Sequence, residues 1–222
     1  MLVAIDTSTT LTGLALYNQH GPQAECSWDS GRNHTAQLLP QLDLLLRHAG
    51  VARSDLQAVA VALGPGSWSG LRVGLSLAKG LALAGGLTLL GIGTLDTLAY
   101  QHARPGLPTY PIIRLGRDRF ATAIFRPGPH GPVRTQPDQN LSLAELAASM
   151  VGPALICGDL DPTVTATLHD ALGGLVHLPG PAAALRRPSF LAELAWQRLM
   201  AGDYDDLTTL EPIYLGEPVK AP

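Results

Sequence analysis

A chain of 222 residues, 46% hydrophobic and only 15% charged, is long enough to bury a sizeable core as one large domain or two lobes. A net charge of −3 removes any electrostatic case for wrapping a polyanion directly. Lys occurs only at 79 and 220 while Arg is frequent, a bias of coding rather than of chemistry. The opening Met1–Asp6 has neither a basic segment nor a cleavage site, so no secretory signal is expected. The apolar stretch 71–90 is broken by Arg72, Lys79 and several glycines, which argues against a membrane span. Cys26 and Cys157 lie far apart in strand-like settings and read as buried thiols in a reducing compartment, so a cytoplasmic location is expected.

Taken in order, Val3–Ile5 is a short buried strand that stops at Asp6-Thr7-Ser8-Thr9-Thr10. Leu11–Tyr17 returns beside it, and Glu25–Ser30 is a third strand. Two readings of the turn stand. Asp6, Thr7, Ser8 and Thr9 can hold a phosphate, with Asp6 on a metal-bound water, or these side chains can bond the turn's own backbone. Leucines at 38, 39, 42, 45 and 46 predict a helix over 33–49, bent or restarted at Pro40.

The apolar run Ala58–Leu63 ends at Gly64-Pro65-Gly66, and Ser67-Trp68-Ser69-Gly70 leads into a helix from about Leu71 to Ala84. This strand–turn–helix corner, with Ser67 or Ser69 as cap, suits an anion or a partner's main chain against the free helix amides. Its spacing is neither that of a P-loop nor that of a dinucleotide fingerprint. Ser67 and Ser69 are off the centre of a nucleophile elbow, and nothing near them in sequence supplies a base. Leu87–Ile92 is a further strand, and Thr94 is expected to cap a helix over 95–103.

Arg104-Pro105-Gly106-Leu107-Pro108 is the strongest punctuation, so the lobes are expected to be 1–103 and 104–222. Beyond it, Tyr110–Leu115 and Phe120–Phe125 predict strands joined at 116–118, and 127–132 a loop. Ser142 is expected to cap a helix to Met150, and Ala154–Cys157 to be a strand. Gly158-Asp159 forms a second corner before a helix and joins the phosphate candidates. Pro188-Ser189 starts the last helix, whose span 189–201 is expected to return to the first lobe, followed by an extended tail over 203–222.

Ala-Ile-Asp-Thr-Ser-Thr at 4–9, Gly-Pro-Gly-Ser-Trp-Ser-Gly-Leu-Arg-Val-Gly at 64–74, Ala-Lys-Gly-Leu-Ala at 78–82 and Glu-Pro-Ile-Tyr-Leu at 211–215 resemble the bacterial TsaB (YeaZ) family. The match spans the first half in order and is weaker in the second, where Arg114-Leu115-Gly116-Arg117-Asp118-Arg119 replaces the family's Asp-Ala-Arg segment. The resemblance implies an α/β, two-lobed actin/Hsp70/sugar-kinase (ASKHA, RNase H-like) fold with mixed five-stranded sheets. It implies a non-catalytic partner of TsaD, the transferase that forms N6-threonylcarbamoyladenosine at position 37 of tRNAs reading ANN codons. The ATPase TsaE joins the pair, the donor is made separately by TsaC, and tRNA is met through the complex rather than directly.

The residues agree with an absence of chemistry. A TsaD-like metal site needs two histidines at i and i+4, but position 38, four after His34, is leucine, and none of the seven histidines has a partner at spacing three or four. No metal and no cofactor of its own are expected, with ATP or ADP confined to the complex. The corner and the leucine-rich helix are instead expected to build a partner face. His34, Leu38, Leu42 and Leu45 come from one helix, and Trp68, Ser69, Leu71, Arg72, Gly74, Leu75 and Ala78 from the other. Trp68 is its anchor, and the same face can pair two copies when TsaD is missing. The alternatives are burial of these helices in the chain's own core, a small-molecule kinase or ATPase using Asp6–Thr9 and Gly158-Asp159, and, more remotely, a peptidase.

Overall fold

The computed structural model describes residues 1–31 and 33–215. It divides into two compact units, Met1–Thr94 with Arg187–Ile213, and Leu95–Arg186 with Tyr214 and Leu215.

The first unit carries β1 (Leu2–Asp6), β2 (Leu11–Asn18), β3 (Gly21–Asp29), α1 (His34–Ala49), β4 (Ala58–Gly64), α2 (Trp68–Gly85) and β5 (Thr88–Gly93). The sheet order is β3-β2-β1-β4-β5, antiparallel through β3-β2-β1 and parallel from β1 through β4 to β5. Strands buried on both faces need apolar residues at every position, and β1 is buried throughout. Val3, Ile5, Val59 and Val61 meet α1 and α2 on one face. Leu2, Ala4, Ala58, Ala60 and Ala62 meet Leu191, Ala192 and Ala195 on the other. The alternation of two along each strand makes the division. The helix on the alanine face is the last of the chain, Pro188–Met200.

That unit departs from the sequence expectations in two places. α1 runs unbroken through Pro40. Pro40 and Ala36 are both exposed, so the carbonyl that loses its amide partner faces water. α2 begins at Trp68, three residues early, because Ser67 is its cap, accepting from the Gly70 amide at 3.3 Å. After the last helix the tail runs along β5, where the Asp205 amide donates to Leu89 O (3.1 Å) and the Ile213 amide to Leu63 O at the end of β4 (2.8 Å).

The second unit carries α3 (Thr94–His102), β6 (Thr109–Arg114), β7 (Phe120–Thr122), β8 (Phe125–Gly128), β9 (Gly131–Arg134), β10 (Gln139–Leu141), α4 (Leu143–Ser149), β11 (Ala154–Gly158), α5 (Pro162–Leu172) and β12 (Val176–His177), with α6 the helix 188–200 already placed. Its main path is β10-β7-β6-β11-β12, with β8 beside β6 and β9 beside β8. The sheet therefore has seven strands, two more than the resemblance implies. Leu95, Leu98 and Ala99 of α3 pack with Ile113, Ala121, Phe125, Leu155 and Cys157. This packing draws the boundary at 94/95 rather than at 103/104: the Pro/Gly run at 104–108 follows a helix that already belongs to the second core.

Three local expectations are corrected here. Thr94 lies inside α3, and its buried hydroxyl has no hydrogen-bond partner, so it caps nothing. The strand expected over 120–125 breaks after Thr122, and 127–132 is not a loop: β8 turns back as a hairpin with β9. Pro127 and Pro132 stand opposite each other, where two missing amides can share one position of the ladder. Residues 216–222 of the expected tail lie outside the described residues.

Candidate functional site

The site begins where β1 and β4, parallel neighbours, end side by side. β4 closes at Gly64, whose φ of +108° is open to glycine, followed by a cis bond to Pro65. The turn after β1 folds onto this corner. The Ser67 amide donates to Ser8 O at 2.7 Å, and Thr7 Oγ1 donates to Gly70 O at 2.8 Å. A Cβ on Gly66 would run into Ser8 O and one on Gly70 into Thr7 O, so the glycines are there for main-chain contact. Asp6 Oδ1 accepts from the Ser8 amide (2.9 Å) and Ser8 Oγ (2.6 Å), and Thr9 Oγ1 from the Leu11 amide (3.3 Å). Asp6, Thr7 and Ser8 are buried. In the second unit, Gly158 turns tightly over Ile112, and Asp159 accepts from the Arg114 amide at 2.8 Å.

The helices beside this corner separate into two faces. Leu38, Leu42 and Leu45 of α1 and Leu75 and Ala78 of α2 lie in the sheet core, with Leu71 fully buried. Gly74 is buried against Thr7 and Val61. Leu45, Leu71, Leu75, Ala78 and Gly74 therefore face the chain's own core rather than a partner, Leu38 and Leu42 reach the surface only as floor of the hollows between the two helices, and Gly74→Arg would test folding rather than docking. His34 is buried as well, its Nδ1 near Thr12 and Ser30, and burial holds its imidazole below the usual range while the Asp6 charge pulls the other way.

Trp68 (49% exposed), Ser69 and Arg72 remain at the surface, with the Arg72 guanidinium 3.4 Å from the Trp68 ring centroid. Between α1 and α2 run two apolar hollows. One of about 400 Å³ is lined by Thr35, Leu38, Leu39, Arg72, Val73 and Leu77. The other, about 460 Å³, is lined by Leu39, Leu42, Leu46, Leu56, Leu81 and Leu87. Leu39, 54% exposed, borders both, and Leu83 is 75% exposed. The sequence carries no clear signal of this: on a helical wheel Leu39 lies only about 20° beyond Leu46, at the edge of the stripe that 38, 42, 45 and 46 share.

Among the described residues, no three His, Cys, Asp or Glu side chains gather as a metal-holding group, and Leu38 fills the core where a second imidazole would stand. A family model described as TsaD, tRNA N6-adenosine threonylcarbamoyltransferase, matches residues 29–126. The tRNA threonylcarbamoyladenosine biosynthesis protein TsaB of Bacillus subtilis is 30% identical over 217 residues, 96% of this chain and 93% of that protein. The chain belongs to the TsaB (YeaZ) family.

The solved structure of YeaZ from Pseudomonas aeruginosa superposes with a TM-score of 0.80 at 23% identity, covering 96% of this chain and 99% of that one. Component A of the (R)-2-hydroxyglutaryl-CoA dehydratase of Acidaminococcus fermentans superposes with 0.56 at 12% identity, covering 90% and 98%. The fold is the actin/Hsp70/sugar-kinase type, α/β with two mixed sheets. In a TsaB-family chain the Asp6–Thr9 turn and the Gly64–Gly70 corner are thus one hydrogen-bonded piece of structure, and the apolar surface lies beside it.

Proposed function

We propose that this TsaB-family chain is the non-catalytic partner of a TsaD protein, supporting transfer of the threonylcarbamoyl group to N6 of adenosine 37 in tRNAs that read ANN codons. The observation that carries the reading is the use of the turn: Asp6, Thr7 and Ser8 are buried and bonded within the chain, while the α1–α2 groove is apolar and open. Chemistry that could hold a phosphate is spent on holding α2. TsaD docks on the groove, with Leu39 and Leu77 at its centre and the Trp68–Arg72 stack at its end. The TsaE ATPase joins that pair, tRNA is met through the complex, and ATP or ADP belongs to the complex. Without TsaD, a second copy takes the same face as a two-fold pair. No helix among the described residues is long and apolar enough to cross a membrane, and we place the protein in the cytoplasm.

Size-exclusion chromatography with light scattering, on the chain alone and with its host's TsaD, tests the reading. A heterodimer is expected, weakened at least about 30-fold by Trp68→Ala if the tryptophan is a hot spot of about 2 kcal/mol. No association, together with ATP turnover by the isolated chain that Asp6→Ala abolishes, would move the function to the turn and restore the kinase alternative.

A further inference from the structure

Thr12 on β2, Ser30 just after β3 and His34 at the first residue of α1 meet in a buried cluster. Thr12 Oγ1 lies 2.9 Å from Ser30 Oγ and 2.8 Å from His34 Nδ1. Ser30 Oγ lies 2.9 Å from His34 Nδ1 and 3.0 Å from Thr10 O. The number of protons decides the directions. Thr10 O only accepts, so Ser30 donates to it, and Thr12 then donates to Ser30. Both hydroxyl protons are now used, and the contacts at Nδ1 need a third, which the imidazole alone can supply. Were Nδ1 the acceptor, it would take the proton of Thr12 or of Ser30, and either the Thr12–Ser30 pair at 2.9 Å or the Ser30–Thr10 O pair at 3.0 Å would be left with no proton between its oxygens. The relay therefore runs one way, from His34 Nδ1–H to Thr12 to Ser30 to Thr10 O, and the lone pair of His34 is on Nε2.

We propose that this relay clamps the start of α1 to the β2–β3 hairpin, and that mild acid, by placing a positive charge on the buried ring through Nε2, destabilises the helix's first turn even though the Nδ1–H donor survives. Beside the relay, Trp28 Nε1 on β3 donates to Gln37 Oε1 of that turn at 2.8 Å and the Asn33 amide to Ser30 O at 2.9 Å, but capping is weak. Asn33 at the cap position makes no side-chain cap bond, and the first turn has no acidic residue. A cationic ring there would be buried beside the free amides of a helix N-terminus, where positive charge is disfavoured.

The titratable and charged groups on the elements around α1 are Asp6 on β1, Tyr17 on β2, Glu25, Cys26 and Asp29 on β3, and Arg72 and Lys79 on α2. Glu25 is engaged by Arg187 and Ser189, and Asp29 by the Gly31 amide. Asp6 is the charge that favours the cation, and burial outweighs it. The folded state thus resists a proton that the unfolded chain accepts near pH 6.5, so stability falls as pH drops below about 6.5 and goes on falling to the folded-state pKa. Because the first turns of α1 contribute Thr35, Leu38 and Leu39 to the groove, acid also weakens docking. That last step rests on the groove being the partner face; the clamp does not.

Long-range proton–nitrogen NMR on the whole chain at pH 7.5 reads the tautomer directly and is expected to show Nδ1–H at His34. Thermal unfolding is then compared at pH 7.5 and 5.0 for the wild type, His34→Asn and His34→Gln. Asn places an amide N–H where Nδ1 was and does not titrate, whereas Gln reaches the Nε2 position and leaves Thr12 undonated. The wild type is expected to lose at least about 2 °C more than His34→Asn between the two pH values, and His34→Gln to be the less stable variant at both. An Nε2–H tautomer, or the same pH loss in the wild type and His34→Asn, would overturn the clamp. Association with TsaD should weaken in acid for the wild type and not for His34→Asn. A clamp present by NMR and unfolding, with docking indifferent to pH, would reject the docking consequence and leave the clamp standing.

Discussion

Leu38 and Leu39 are neighbours on α1 with opposite fates, and the pair separates folding from docking. Leu38 is 2% exposed and sits in the core with Val3, Ile5 and Leu14, whereas Leu39 is 54% exposed at the mouth of both hollows. Truncating a buried leucine costs about 2–5 kcal/mol, transfer and cavity together. At about 2–4 °C per kcal/mol for a chain of this size, a central value of about 3 kcal/mol lowers the unfolding midpoint by roughly 6–12 °C. Leu39→Ala leaves no cavity and should change stability by no more than about 0.5 kcal/mol, while weakening the complex with TsaD. Scanning calorimetry and light scattering on the two variants make the comparison. Leu38→Ala with an unchanged midpoint but no complex, or Leu39→Ala as unstable as Leu38→Ala, would refute the division into an inner and an outer face.

Other perturbations test the surrounding architecture. Ser142 accepts from the Glu145 amide while the Glu145 carboxylate accepts from the Ser142 amide, so Ser142→Ala should destabilise α4 by about 1 kcal/mol, read as a lower urea midpoint. Asp205 accepts from the Gly91 amide at 2.7 Å and from Arg198 at 3.0 Å, fastening the tail to β5. Asp205→Ala should cost about 1–3 kcal/mol and speed amide exchange over 203–213; unchanged exchange there would show the tail is held otherwise. Burial pushes the Cys157 thiol well above its ordinary range, and burial also raises Cys26, against a lowering hydrogen bond from Leu14. Because both thiols stay protonated, an aromatic disulfide at pH 8 should react slowly with the native chain, slowest at Cys157, and rapidly once it is denatured.

Much of the first unit was legible because its signals are local. The runs 2–5 and 58–63 of the buried strands are continuously apolar, the α1 leucines recur at helical spacing, and Gly64-Pro65-Gly66 can be little other than a turn. The second unit was read less well where local and tertiary preferences diverge. Proline at 127 and 132 speaks for a loop, yet an edge hairpin tolerates both. Thr94 has the chemistry of a cap but follows β5 so closely that it is already within α3.

The candidate site divides in the same way. The sequence by itself determined the family and the chemical inventory: the Asp6–Thr9 turn, the glycine corner, Trp68 and Arg72, and the missing second histidine at Leu38. Only the tertiary structure shows what those groups bond within the chain, since a hydroxyl in a turn can face a phosphate or its own backbone with equal local propensity. Parallel pairing of β1 with β4 places the two turns side by side, and the glycine faces of Gly66 and Gly70 let Ser8 and Thr7 close in and consume the donors. The same packing turns Leu38 inward and leaves Leu39 outside. Which leucine a helix buries depends on where the sheet lies, and no stretch of sixteen residues carries that information.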